Sequence, residues 1–282
     1  MAARRGRGPR RVPRPRGLAA RAAGGARGWS RGRTARPARP PAQGEAAVSS
    51  HILDRPAWNA LATRQRSVAS GGDRARRFAP DIGPLAGARD DGPASLAELA
   101  KLVPGDGTLL LLQADPIVLP PGLVATTTAM GVQMVAERLA RGAVTAYERA
   151  GQRLPDADAP AMLALATLTK PGPFARGTPT LGEFWGLKEG GVLVAMAGER
   201  MKHHGFTEVS GVCTHPDARG RGLARALSAL VAARIVERGE TPYLHTYATN
   251  TAAIRLYESL GFRRRCAMHV AAVARDAQPA GR

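Results

Sequence analysis

The chain has 282 residues, 44% of them hydrophobic, and a formal net charge of +19, so it is long and apolar enough to bury a sizeable core. No apolar run approaches the roughly 20 residues that cross a bilayer, the longest candidate being 108–114, and two cysteines are too few for a disulfide framework. These counts exclude a helical membrane protein and a disulfide scaffold, and they lead to the expectation of a cytoplasmic protein with no membrane partner.

Residues 1–47 hold thirteen arginines, no lysine and one acid, Glu45, for a net +12, which leaves +7 for residues 48–282. The Arg/Pro/Gly-rich stretch has neither helical nor strand periodicity and too little apolar surface to fold. It is read as a disordered tail, or as the product of a start codon placed upstream of the true one. A nucleic-acid partner is expected only through this tail. Arg21 interrupts the apolar stretch that a secretory signal needs; a transit peptide stays open from the arginines and the near-absence of acids, although the prolines spoil the amphipathic helix such peptides form.

Ordered sequence begins near 51–65, where Asp54 followed by Arg55-Pro56 predicts a helix N-cap with proline in the first turn. A second helix is predicted at 94–103, with Ser95 and Glu98 as a capping box. Two strands follow, at 108–114 and 122–136. Residues 48–143 are thus read as a smaller α+β supporting domain without a catalytic constellation.

Residues 144–276 form the second expected domain. A strand end, a turn with Asp156 and Asp158, and a helix occupy 152–169, and the helix stops at the Pro-Gly-Pro of 171–173. A hairpin at 181–201 folds at Gly190-Gly191, and a further strand runs over 206–216. A helix at 219–238, ended by Gly239, precedes a strand at 242–250, a helix at 251–261 and a last strand at 262–273. This order predicts a mixed α/β sheet with helices packed on it. Residues 277–282 are expected to be a disordered C-terminus.

The chemistry concentrates in "RGRGLA", 219–224, at a strand-to-helix junction. A helix start has backbone N–H groups without partners and a partial positive charge, and so attracts anions, phosphates above all. Gly220 and Gly222 permit close approach, Ala224 is small, and Arg219 and Arg221 add charged donors. A plain flexible turn is the competing reading. Neither the dinucleotide fingerprint nor the P-loop is present.

These residues resemble the signature of the GCN5-related N-acetyltransferase (GNAT) superfamily, with Arg219, Gly222 and Ala224 on its defined positions. The run "NTAAIRLYESLGF", 250–262, is similar to that superfamily's last helix and following turn, and the whole of 145–275 is most similar to its FR47-like branch. The resemblance implies a GNAT-type mixed central sheet flanked by helices, preceded by the α+β domain, for which a degenerate GNAT-like half is an alternative. It implies an acyltransferase that uses acetyl-CoA as acyl donor, with transfer to a primary amine of a small-molecule or amino-acid-like acceptor through a tetrahedral intermediate.

The implied donor site comprises Val212, Cys213 and Thr214 on the preceding strand, then Arg219, Gly220, Arg221, Gly222, Leu223 and Ala224, and Asn250 and Ala253 on the last helix. One strand amide would polarise the thioester carbonyl. Tyr257 matches the family's general acid, although the stripe of Ile254, Tyr257 and Leu260 also reads as core, and Asn250 also reads as an N-cap. Glu208, eleven positions before Arg219, resembles in its place the glutamate base of some relatives, with a water chain, or a carboxylate that is simply salt-bridged, as the alternatives. Strand alternation puts Glu208 on one face with Ser210, Val212 and Thr214, opposite Val209 and Cys213. The acceptor pocket is expected from the loop at 171–186 and from the first half.

Neither Cys213 nor Cys266 stands at metal-ligand spacing from the six histidines, and the neighbours His203 and His204 point apart, so no metal is expected. A monomer or homodimer is expected. A CoA-binding regulatory or scaffold module without turnover is the competing function.

Overall fold

The computed structural model describes residues 51–140 and 151–276. The expectations for 1–47 and 277–282 lie outside the described residues. The described residues form one compact unit.

The chain enters with helix α1 (Pro56–Ala62), three short strands β1 (Ala69–Gly71), β2 (Ala75–Phe78) and β3 (Leu85–Ala88), helix α2 (Pro93–Leu102), and strands β4 (Leu109–Gln113) and β5 (Leu123–Val135). It continues through β6 (Gln152–Arg153), α3 (Ala159–Thr169), β7 (Phe184–Glu189), β8 (Val192–His203) and β9 (Phe206–Thr214). Helix α4 (Leu223–Glu237), strand β10 (Thr241–Tyr247), helix α5 (Thr251–Ser259) and strand β11 (Arg263–Arg275) complete it.

Proline opens α1 and α2 as their sequences require, but neither expected cap forms. Arg55 is the N-cap of α1, while Asp54 accepts from the His51 amide at 2.7 Å and pairs with Arg265. Gly92 caps α2; Ser95 is buried inside its first turn and Glu98 accepts from the Arg74 amide at 3.0 Å. In both places the carboxylate takes a donor from elsewhere in the fold, and α2 starts too early for Ser95 to be its cap. The hairpin turns at Gly190-Gly191, both in the left-handed region, as read from the sequence.

All eleven strands of the described residues form one sheet, in the order β1-β2-β3-β4-β11-β5-β10-β9-β8-β7-β6. Both expected halves contribute to it. Strand β5, from the first half, lies between β10 and β11 and pairs antiparallel with each. Alternate residues of the sheet feed the cores on its two faces. Tyr243 packs with Leu53, Leu61 and Met268 beside α1, while its neighbour Leu244 packs with Leu230, Ile254 and Phe262 beneath α4 and α5. Helix α4 is apolar nearly all round because the sheet, α5 and the hairpin enclose it.

Strands β9 and β10 run parallel but pair only from Thr241↔Phe206 to Tyr243↔Glu208. Beyond that point β9 continues on β8, and β10 continues on β5. The two middle strands therefore diverge, and a cleft opens between 209–214 and 244–247.

A bulge in β9 shapes one side of this cleft. Ser210 and Cys213 pair with Gly198 and Met196, so Gly211 and Val212 on β9 oppose Ala197 alone on β8. Gly211 makes the extra step with φ +62, and a β-carbon there would stand 2.9 Å from the Phe184 ring. The bulge overturns the simple alternation read from the sequence. Val212 packs on the α4 side together with Val209, and Cys213 packs on the other side with Met162 and Phe184.

The Phe184 ring also covers Gly198, where a β-carbon would stand 2.4 Å from it. We expect Gly198→Ala to lower unfolding free energy by about 1–3 kcal/mol through overpacking. Urea denaturation checks this, and a Phe184→Leu background should recover part of the loss.

Candidate active site

The cleft between β9 and β10 has a volume of about 820 Å³. Its walls carry Val212, Cys213, Thr214, Arg219, Gly220, Gly222, Leu223, Ala224, Asn250, Ala253 and Tyr257, so eleven of the thirteen residues picked from the sequence meet in one place.

The Gly-Arg loop forms as anion chemistry requires, though with a shorter helix than expected. A single turn at Pro216–Ala218 follows β9, and α4 starts at Leu223 rather than at Arg219. The reason is backbone geometry: Gly220 and Gly222 sit at φ +77 and +76, outside the helical region, with open space where a β-carbon would be. Gly222 is the N-cap and no side chain caps the helix, and Gly222, Leu223 and Ala224 line the cleft. The Thr214 hydroxyl, at the end of β9, is buried without a hydrogen-bond partner. An uncapped helix start, an open glycine pair and an orphaned hydroxyl together fit a diphosphate and its attached arm.

Arg221 is one of the two residues that the cleft does not receive. Its guanidinium turns to Glu189 at the hairpin end, with contacts of 3.0 and 2.5 Å, and the pair is solvent-exposed. Arg225, by contrast, lines the cleft and donates to Ser259 at 3.2 Å.

Asn250 is the N-cap of α5, accepting from the Ala253 amide at 3.1 Å, and it lines the cleft as well. Two turns on, Tyr257 is 8% exposed, edge-on to Phe262 at 6.0 Å, and part of the α5 core. Both readings of each residue, structural and cleft-lining, thus hold together. Burial pushes the Tyr257 phenol up to about 12, so it keeps its proton throughout the physiological range.

Glu208 is the second residue set back from the cleft wall. Its carboxylate, 1% exposed, accepts Arg200 Nε at 2.8 Å and Nη2 at 2.7 Å, the Met201 amide at 3.2 Å and His245 Nδ1 at 2.8 Å. Burial alone would raise its pKa; the Arg200 charge and hydrogen bonds, reinforced by His245, outweigh burial and hold it far below the usual carboxylate range. Arg200 and His245 do reach the cleft wall. Sequence reasoning missed both, since neither sits in a motif. Their only local signal was a charged side chain within a predicted strand.

Cys213 lines the cleft, but burial pushes its thiol up to about 11, and it is no thiolate nucleophile at neutral pH. Among the described residues no group of three or more His, Cys, Asp or Glu side chains is placed to hold a metal ion, and no helix is long and apolar enough to cross a membrane.

The remaining wall comes from Pro171, Gly172 and Pro173 of the loop and from Leu85, Leu110, Leu112 and Gly131 of the first half. The charged residues in the wall, Lys170, Arg200, Arg219 and Arg225, are all basic; no carboxylate is among the described lining residues.

A structure described as a putative acetyltransferase of the GNAT family from Novosphingobium aromaticivorans superposes with a TM-score of 0.75 at 43% identity, covering 81% of this chain and 100% of that one. The chain belongs to the GNAT family. The family model described as FR47-like protein matches residues 185–270, the interval that holds both halves of the cleft. A GCN5-related N-acetyltransferase from Kribbella flavida shares the GNAT fold at 18% identity, with a TM-score of 0.53 over 79% of this chain and 96% of that one. Mycothiol acetyltransferases of Thermobispora bispora and Acidothermus cellulolyticus are 48% identical over 58 residues and 46% over 63. These matches cover 20% and 22% of this chain, and 20% and 19% of those relatives.

The Arg200–Glu208 pair at the narrow end of the GNAT cleft tests the electrostatics. Arg200→Met would leave a buried carboxylate without its main partner, at an expected cost of about 3–5 kcal/mol. In the native protein a carboxyl so depressed stabilises the fold above the unfolded-state value of about 4.3, and this contribution is lost as pH falls below it. Thermal melts from pH 7 to 3 should show the native protein losing stability toward acid, and Arg200→Met less so.

Proposed function

We propose that this protein is an acetyl-CoA-dependent N-acetyltransferase acting on a primary amine of a small, amino-acid-like acceptor. One observation carries the reading: the diverging strands, the uncapped start of α4 and the Tyr257 phenol open onto a single cleft.

The donor's diphosphate is assigned to the first-turn amides of α4, with Arg219 as a charged neighbour. Its arm is assigned to the free edge of β9 at Val212–Thr214, where a backbone amide can polarise the thioester carbonyl. Holding donor and amine in one cleft contributes proximity. Tyr257, protonated up to about 12, is assigned to hydrogen-bond the leaving thiolate and donate its proton. Asn250 and Ala253 fix the start of the helix that carries it.

The acceptor class follows from the lining. A polycation such as a polyamine would meet Lys170 and Arg219 with no carboxylate in the lining, whereas an amine that also bears an anionic or apolar group suits the basic and leucine-lined walls. The relatives named as mycothiol acetyltransferases agree with a small-molecule acceptor.

Thiol release from acetyl-CoA, followed over a panel of amines, tests the reading. We expect release that depends on the amine, with amino-acid-like acceptors preferred over polyamines. CoA binding with no amine-dependent release would favour a binding module instead. In Tyr257→Phe, kcat should fall about 10²–10⁴-fold with the acetyl-CoA KM little changed.

A further inference from the structure

We propose that His245 accepts the proton of the acceptor ammonium, at Nε2, and that Glu208 serves as its positioning partner rather than as the base. The proposal rests on the amine-acetylation reading above and names the group that completes its proton chemistry.

Position comes first. The last paired residues of β9 and β10 are Glu208 and Tyr243, and His245 is the second residue beyond, where the strands have parted. His245 is among the cleft-lining residues, its side chain 9% exposed. Glu208 lies deeper, its side chain 1% exposed against 9% for His245, and it is absent from the cleft lining.

The hydrogen-bond pattern then fixes which ring nitrogen is basic. An ionised carboxylate only accepts, so His245 Nδ1, 2.8 Å from Glu208 Oε1, carries a hydrogen. On the other side, Gln133 uses its oxygen to accept from Arg265, which turns its amide nitrogen toward the Leu53 carbonyl at 2.9 Å and His245 Nε2 at 2.9 Å. Nε2 therefore presents a lone pair, held in the resting protein by the Gln133 N–H. The ring is set in the tautomer that a general base needs, with its acceptor atom away from the carboxylate that orients it.

In the proton step an N–H bond of the ammonium breaks and its electron pair stays on nitrogen, which becomes the nucleophile. The proton forms the Nε2–H bond, directly or through one water, and displaces the Gln133 contact. The imidazolium is balanced by Glu208 at Nδ1 and later returns its proton to water. The charged and titratable groups around the ring are Glu208 on β9, Arg200 and His203 on β8, Tyr243 on β10, and Arg265 on β11 reaching it through Gln133. Glu208 is the one carboxylate among these groups.

The test combines the full-length native protein with two variants. In native protein labelled with 15N-histidine, NMR above pH 7.5 should show His245 as the Nδ1–H tautomer; an Nε2–H tautomer overturns the proposal. With the best amine acceptor, His245→Ala should lose at least about 100-fold in kcat/KM, keep its acetyl-CoA Kd within about threefold, and recover activity with added imidazole. Glu208→Gln should retain more activity than His245→Ala and shift the acid limb of kcat/KM to lower pH. Native kcat/KM and pH profile in His245→Ala, or an unmoved acid limb in Glu208→Gln, overturns it. Absence of amine-dependent turnover in the native protein is a failure of the acetyltransferase reading, a different result from these.

Discussion

The cleft exists because β9 and β10 stop pairing after Glu208 and Tyr243, and that break has to be held open. Two parallel strands left to themselves would continue their ladder and close the gap. Each is instead committed on its far edge, β9 to β8 and β10 to β5. At the vertex stands a buried ion pair, Arg200 with Glu208, tied sideways to His245. Such a pair is poor value as pure stabilisation, since well-packed apolar side chains of similar volume often do as well. Its placement at the narrow end of a cleft is better explained by chemistry than by folding.

The polar contacts do not end there. Arg200, Glu208, His245, Gln133 and Arg265 stand on five neighbouring strands, β8, β9, β10, β5 and β11, and each touches the next; Arg265 closes the row on Asp54 at the entrance to α1. The first and second halves of the chain thus meet through one hydrogen-bonded row as well as through the sheet. Strand β5 supplies both the outer support of β10 and the Gln133 amide, while β3 and β4 bring Leu85, Leu110 and Leu112 to the cleft. What the first half adds to the site is shape and one oriented amide.

Local sequence carried the second-half elements and the Gly-Arg loop, because turn residues and periodicity act within a few positions, but the short strands β1, β2 and β3 were not read from it. The glycine pair, the hairpin turn and the second-half order were legible for that reason. Long-range competition was not. Asp54 and Glu98 read as capping carboxylates, yet each found a tertiary donor; Arg221 read as an anion ligand, yet Glu189 lay within reach across the hairpin. Alternation along β9 failed at Gly211 because a single left-handed residue shifts every later side chain to the other face. His245 lay in an unremarkable strand, and its meaning depends on Glu208 and Gln133, 37 and 112 positions away.

The cleft's charge ties the two ends of the proposed reaction together. An acyl donor bearing phosphates is drawn by basic walls, and Arg219 and Arg225 flank the loop where those phosphates would lie. The same sign works on the other reactant. An ammonium brought beside Arg200, whose carboxylate partner is already neutralised, gains no counter-ion and loses water, and both effects favour the free amine over its protonated form. A carboxylate exposed at the same spot would attract the amine more strongly but would hold it as the unreactive cation. In the proposed reaction Glu208 stays behind the wall and His245 stands in front of it, and that arrangement avoids the trap.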